Sequence, residues 1–287
     1  MKTVLYFDWT RNKRKYISNI VIPAVLLVVL FLVSVIVDYF VPAFNSRYMR
    51  WPDMVKNLLS LSAWSRNLYG NIWQIFSLIY PFFLVYEVMS GLAGAIIEEE
   101  RLETVVYLKN LSIGRNVLMQ TKGLIWLVQS FTICLLLMIE NMLFFLMLRA
   151  AHMTLTVLRY YTALFLVSLI YMAIALFLAS FSKRESICED KIFGVLVIPF
   201  LLARMYAIAG FMADILVAAK REGKITDMLY IIADKLKTMT VISPLTWCWQ
   251  EIRVNGLYIL CGIAVTVIMA TAAYSIYTHE KVIYRNR

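Results

Sequence analysis

A chain of 287 residues that is 62% hydrophobic and only 16% charged stands far from soluble domains, which carry about 45–50% apolar and about 25% charged residues, so a water-soluble globular protein is excluded. The formal net charge of +10 does not point to nucleic acid, because Lys and Arg fall in short clusters between apolar runs rather than on one basic face; anionic lipid headgroups are the matching counter-charge. The four cysteines, Cys134, Cys188, Cys248 and Cys261, have no C-x-x-C spacing, which argues against a disulfide framework or a zinc site and for packing roles.

In chain order, Thr3 to Lys15 joins Leu5, Tyr6 and Trp9 to a basic end of Arg11, Lys13, Arg14 and Lys15, which predicts a short helix lying in the membrane interface. The polar lead-in is long and no A-x-A-like cleavage site follows, so the next apolar run is read as a retained first span, not a signal peptide. A helix needs about 20 mainly apolar residues to cross the hydrocarbon. Six segments qualify: Ile20 to Val37, Ile72 to Ile97, Gly123 to Leu148, Tyr160 to Phe181, Ile192 to Met212 and Gly256 to Tyr277. Before the last of them, Ile225, Met228, Leu229, Ile232, Leu236 and Met239 recur at helical spacing among Lys224, Asp227, Asp234, Lys235 and Lys237, which predicts an amphipathic helix on, or partly in, the outer leaflet. Ser243-Pro244 ends it, and Trp247 and Trp249 stand where an aromatic belt flanks a span.

The expected fold is therefore all-α, a single integral membrane domain over residues 1–287 with six transmembrane helices. No linker, low-complexity tract or internal repeat divides it. An even span number puts both termini on one side. The segments on that side hold 15 Lys/Arg against 12 on the other, where loops are longer, so the positive-inside bias places both termini in the cytoplasm of a multi-pass plasma-membrane protein.

Ionisable groups inside the bilayer cost roughly 2.5–3.5 kcal/mol on insertion scales, so each needs a reason. Glu87 on the second span and Arg204 on the fifth lie at similar depth and are positioned to pair; Glu140 on the third is expected at the outer headgroups or in the polar neighbourhood of Asn141. Tyr80, Phe83, Glu87 and Gly91 share one helical face, as do Phe193, Val197, Phe200 and Arg204. Aromatic stripes of this kind commonly serve packing, and the charges serve either helix register or a path through the membrane.

The segment between the second and third spans, Glu98-Glu99-Glu100-Arg101-Leu102-Glu103-Thr104-Val105-Val106-Tyr107-Leu108-Lys109-Asn110-Leu111-Ser112-Ile113-Gly114-Arg115, reads as a short helix projecting into the cytosol. Its acidic start suits the positive end of a helix dipole, and Leu102, Val105, Val106 and Leu108 give it more apolar surface than a short loop needs, as for docking onto a partner.

This segment resembles the coupling helix of permease subunits of type-2 ATP-binding-cassette (ABC-2) exporters, with Glu100, Arg101, Thr104, Tyr107, Leu108 and Arg115 at matching positions. Glu103, Val106 and Ser112 depart from that pattern, standing where the family has Gly, Glu and Pro. The resemblance extends over the chain through the N-terminal helix, six spans, short external helices and the element Ser243-Pro244-Leu245-Thr246. It implies that Glu99, Glu100, Arg101, Leu102, Thr104, Val105, Tyr107, Leu108 and Arg115 dock onto a cytosolic ATPase subunit, that a second permease completes the complex, and that the first, second and fifth spans border the translocation path. Tyr80, Phe83, Glu87, Gly91, Phe193, Val197, Phe200 and Arg204 then line that path, whose sparse charge and aromatic faces suit an amphipathic or lipid-like cargo, with toxin-like or antimicrobial peptides favoured by analogy and drugs or lipids left open.

The chain lacks G-x-x-x-x-G-K-[ST], Gly223-Lys224-Ile225 being the nearest fragment, so ATP and Mg are expected on the partner ATPase and no cofactor on this chain. Two other classes are weighed. An intramembrane protease of the prenyl-protein-processing type needs Glu-Glu-x-x-x-Arg with suitably placed His, whereas here Arg101 follows the glutamates at once and the two histidines, His152 and His279, flank spans. A stand-alone ion-driven carrier or channel often shows paired repeats and broken helices, which the sequence does not contain.

Overall fold

The computed structural model describes residues 2–41, 68–101, 115–182, 185–219, 223–237, 243–248 and 256–279. Every regular element among them is helical: α1 (Lys2–Phe40), α2 (Leu68–Arg101), α3 (Arg115–Met147), α4 (Thr154–Phe181), α5 (Glu185–Ala218), α6 (Lys224–Leu236) and α7 (Gly256–His279), with short 3-10 helices at Ala151–Met153 and Pro244–Cys248. Five stretches, Asn12–Phe40, Leu68–Glu98, Val117–Met147, Ala151–Phe181 and Ile187–Ala218, are long and apolar enough to cross a membrane. The chain is thus a multi-pass helical membrane protein. Helices suit that solvent because they satisfy backbone N–H and C=O groups internally.

The expected separate interfacial helix is not there as a separate element. α1 is one uninterrupted helix of 39 residues, about 58 Å long at 1.5 Å per residue, against a hydrocarbon core about 30 Å thick. Neither Gly nor Pro precedes Pro23, so no breaker bends the chain before it enters the span. The basic stretch Lys13–Lys15 accordingly continues the span's own helix, and marks the near end of the bundle.

Contacts along the chain fix the helix directions. Asn19 meets Glu87, Phe31 meets Tyr69, and the Leu68 N–H donates to Asp38, so α1 and α2 run antiparallel. Tyr69 with Asn141, and Gly91 with Trp126, set α3 antiparallel to α2. A short turn leads from α3 into α4. It closes α3 in a Schellman-type cap: the Ala150 N–H donates to the Phe145 carbonyl and the Arg149 N–H to that of Leu146, with Arg149 at φ 57°, a left-handed position usually given to Gly.

α4 is the centre of the bundle, packed against α2, α3, α5 and α7. Association in lipid depends on close packing and interhelical hydrogen bonds, since lipid tails are as apolar as the side chains. α4 supplies both. Its buried small residues Ala173, Ala175 and Ala179 admit neighbours closely, and the Ser180 hydroxyl donates to the Ala273 carbonyl of α7. At the other end, the Tyr160 hydroxyl donates to the Ser77 carbonyl of α2. The Tyr69 hydroxyl donates to Asn141 Oδ1 at 2.7 Å, and Asn141 Nδ2 donates to the Tyr161 hydroxyl oxygen at 2.9 Å, so one asparagine ties α2, α3 and α4 together. Trp73, Phe145 and Tyr160 surround this network with edge-on ring contacts.

α5 is 34 residues long, about 51 Å, and its far end exceeds the hydrocarbon. α6 folds back along that end: the Tyr230 hydroxyl donates to Asp214 at 2.7 Å, so α5 and α6 lie antiparallel. α6 therefore rests on α5, with Ile225, Met228 and Ile231 exposed on its other side. The 3-10 helix Pro244–Cys248 packs mainly on α4, and Gly262 of α7 lets Trp247 and Ile170 approach; a Cβ there would sit 3.0 Å from Ile170 and 3.1 Å from Trp247. All four cysteines are free.

Candidate functional site

Coverage by neighbouring helices is uneven. α2 is buried on the side facing α3 and α4, but Ile79, Phe83, Glu87, Ser90 and Gly94 form a stripe at steps of three or four that is exposed or half-buried. α1 borders this stripe on one side, because Asn19 Nδ2 donates to Glu87 Oε1 at 2.9 Å. α5 borders it on the other through the edge-on contact of Phe82 with Phe200, ring centroids 5.9 Å apart. The result is an apolar cleft along α2 walled by two lightly covered helices.

The three walls share a backbone feature. Pro23, Pro81 and Pro199 lie inside α1, α2 and α5, whereas α3, α4 and α7 contain no proline. Each proline removes one helical hydrogen bond and crowds the carbonyl four residues back, a defect transmembrane helices tolerate when neighbours re-satisfy the freed group.

Of the residues expected to line a path, the structure brings some to this cleft and buries others. Glu87 and the exposed Phe83 lie in it, and Phe200 and half-buried Val197 lie on its α5 wall. Phe193 is exposed on α5. Tyr80 turns inward and stacks on Phe76 at 4.8 Å; Gly91 is covered by Trp126 of α3, whose ring a Cβ at Gly91 would overlap. The helical face shared by Tyr80, Phe83, Glu87 and Gly91 in sequence is thus divided between interior and cleft. Glu87 takes its hydrogen bond from Asn19 rather than an ion pair with Arg204. Arg204 is buried, its guanidinium 5.8 Å from the Phe200 ring centre.

Glu140 differs from expectation. Instead of reaching headgroups, both carboxylate oxygens are enclosed and have no hydrogen-bond partner among the described residues. Helical phase explains it: Glu140 shares a side with Asn141 and Leu137, which are turned into the bundle. Gln129 and Ser130 are likewise buried on α3 with unpartnered polar atoms among the described residues. The polar positions 122, 129, 130, 140 and 141 repeat at helical steps within an apolar helix, and that spacing was the available signal for an inward-facing polar side.

The segment expected to dock onto an ATPase lies largely outside the described residues: Leu102, Thr104, Val105, Tyr107 and Leu108 belong to 102–114. Glu99, Glu100 and Arg101 belong to α2 itself, which runs unbroken to Arg101, and Arg115 opens α3. The glutamates therefore lie within the helix that continues the second span rather than at the start of a separate one. No set of three or more His, Cys, Asp or Glu side chains suited to a metal occurs among the described residues.

No protein family, curated protein or solved structure matches this chain.

Proposed function

We propose that the chain is the membrane-spanning permease of an ABC-2 exporter, moving a hydrophobic or amphipathic cargo outward while a separate cytosolic ATPase subunit hydrolyses ATP. The observation that carries this reading is the cleft along α2 between α1 and α5, the three helices with a proline inside them, set against the proline-free helices α3, α4 and α7. A bistable flank on a fixed core is what alternating access requires. Glu87 and the Phe83–Phe200 region offer an apolar wall with sparse charge, suited to an amphipathic peptide, drug or lipid.

In this reading α7 is the sixth span, both termini and the near end are cytoplasmic, and a second permease faces the cleft. The unbroken run of α2 into Glu98–Arg101 gives force applied at residues 99–108 a rigid lever into the cleft. Reconstitution with the candidate ATPase tests it. Cargo should stimulate ATP hydrolysis, and Thr104→Arg or Leu108→Asp should abolish that stimulation while the isolated ATPase stays active; normal coupling in both variants rejects the docking assignment.

A stand-alone ion-driven carrier is the second reading, favoured by the enclosed carboxylate of Glu140. Vesicles containing this chain alone separate the two: transport driven by an ion gradient and lost in Glu140→Gln supports a carrier, and dependence on ATPase and ATP supports the exporter.

A further inference from the structure

Away from the cleft, on the opposite side of α4, a groove of about 720 Å³ runs between α4 and α7. Its lining includes Leu158, Thr162 and Leu166 of α4 and Ile263, Thr266 and Val267 of α7, with Trp247 and Gly262 beside Ile170. The volume falls in the range of about 300–1,000 Å³ typical of small-molecule sites. The two hydroxyls in the walls bond within their own helices, Thr162 to the Leu158 carbonyl and Thr266 to that of Gly262, both at 2.8 Å. The groove therefore has no hydroxyl in need of a partner and offers an apolar channel.

Length and charge specify the occupant. The α4 wall from Arg159 at the far rim to Ile170 beside Trp247 spans eleven residues, about 17 Å at helical rise, close to one leaflet of a hydrocarbon core about 30 Å thick. Arg159 is exposed and makes no ion pair with any described residue. Among the described residues it is the single charged one lining the groove. An apolar slot one leaflet deep with a guanidinium at its mouth complements an acyl chain below an anionic phosphodiester, which Arg recognises through paired N–H donors.

We propose that the groove binds one acyl chain of an anionic phospholipid from the far leaflet, its phosphate held by Arg159. This requires membrane insertion but is independent of any ATPase partner. Occupancy would restore the dispersion contacts that α4 and α7 lack across the gap.

The full chain in lipid nanodiscs provides the test. Discs are doped with phosphatidylglycerol or phosphatidylcholine carrying identical brominated chains, and the Trp247 signal is taken as the fluorescence of the wild type minus that of Trp247→Phe. Phosphatidylglycerol should quench that signal at about fivefold lower mole fraction, the ratio expected for one cation at the membrane surface. Arg159→Gln should erase the headgroup preference and Arg159→Lys keep most of it. Thr162→Phe, at an exposed wall position, should weaken quenching by both lipids. Equal quenching of the wild type by the two lipids, or a preference undiminished in Arg159→Gln, overturns the proposal. So does efficient disulfide cross-linking of Thr162→Cys between two copies, which would show that a second chain covers the groove.

Discussion

The far half of the α2–α3–α4 interior and the α1–α5 flank are both apolar, yet they are held by different means. In the interior, Asn141 bonds Tyr69 and Tyr161 at once, Tyr160 bonds a backbone carbonyl, and Trp73 and Phe145 fill the space between. On the flank, α5 meets α2 through the ring contact of Phe82 with Phe200, while α1 is held by the Asn19–Glu87 bond, by the Leu68 N–H donating to Asp38, and by the rings of Phe31 on Tyr69 and Phe144 and of Tyr16 on Trp126. Lipid supplies no hydrophobic force between helices, so the density of polar ties and ring contacts sets which part stays fixed. In the exporter reading proposed above, the flank is the part that shifts.

That contrast breaks most readily where helices approach closest. Gly91→Ala should cost about 3 kcal/mol, the upper end for overpacking, because the Trp126 ring would have to leave its place and is backed edge-on by Tyr16. Trp126→Leu in the same chain should restore much of the loss, measured by unfolding in mixed micelles. Asn141→Ala should cost about 2 kcal/mol, as two buried hydroxyls lose a partner, and Tyr161→Phe added to it should cost little more; additive losses would show that the two are not linked.

Two smaller effects sharpen the comparison. Arg149→Gly should stabilise the interior turn by about 1 kcal/mol by relieving a left-handed backbone, seen as a raised midpoint in the same titration. Asn19→Ala on the flank should cost only about 0.6 kcal/mol, the mean for interhelical bonds in bilayers. A loss above that of Asn141→Ala would reverse the assignment of fixed and movable parts.

Much of the fold is legible in the sequence, because lipid demands long apolar helices and these residues supply them. Five spans stand where hydropathy puts them, though each helix outruns the predicted segment: nothing in Thr3–Ile20 or Ile97–Arg101 stops a helix once begun. The same continuity overturns the expectation of a helix start at Glu98–Glu100, since acidic residues favour an N-terminus only if the preceding helix has ended. Partners across helices are less legible. Depth along each span suggests Glu87 with Arg204, but depth leaves azimuth open, and Asn19 occupies the side of α2 that Glu87 faces. Glu140 and Gln129 escape for a related reason: the period of polar positions in α3 tells that they face inward, but not which groups receive them.

The hairpin of α5 and α6 carries a practical consequence. Since Tyr230 anchors the short helix to Asp214 on the projecting end of α5, any tilt of that span must swing α6 through an arc at the membrane surface, where Ile225 and Met228 stand exposed. A dye at Met228→Cys would act as a pointer, turning sub-nanometre motions deep in the bilayer into a signal readable from the aqueous side.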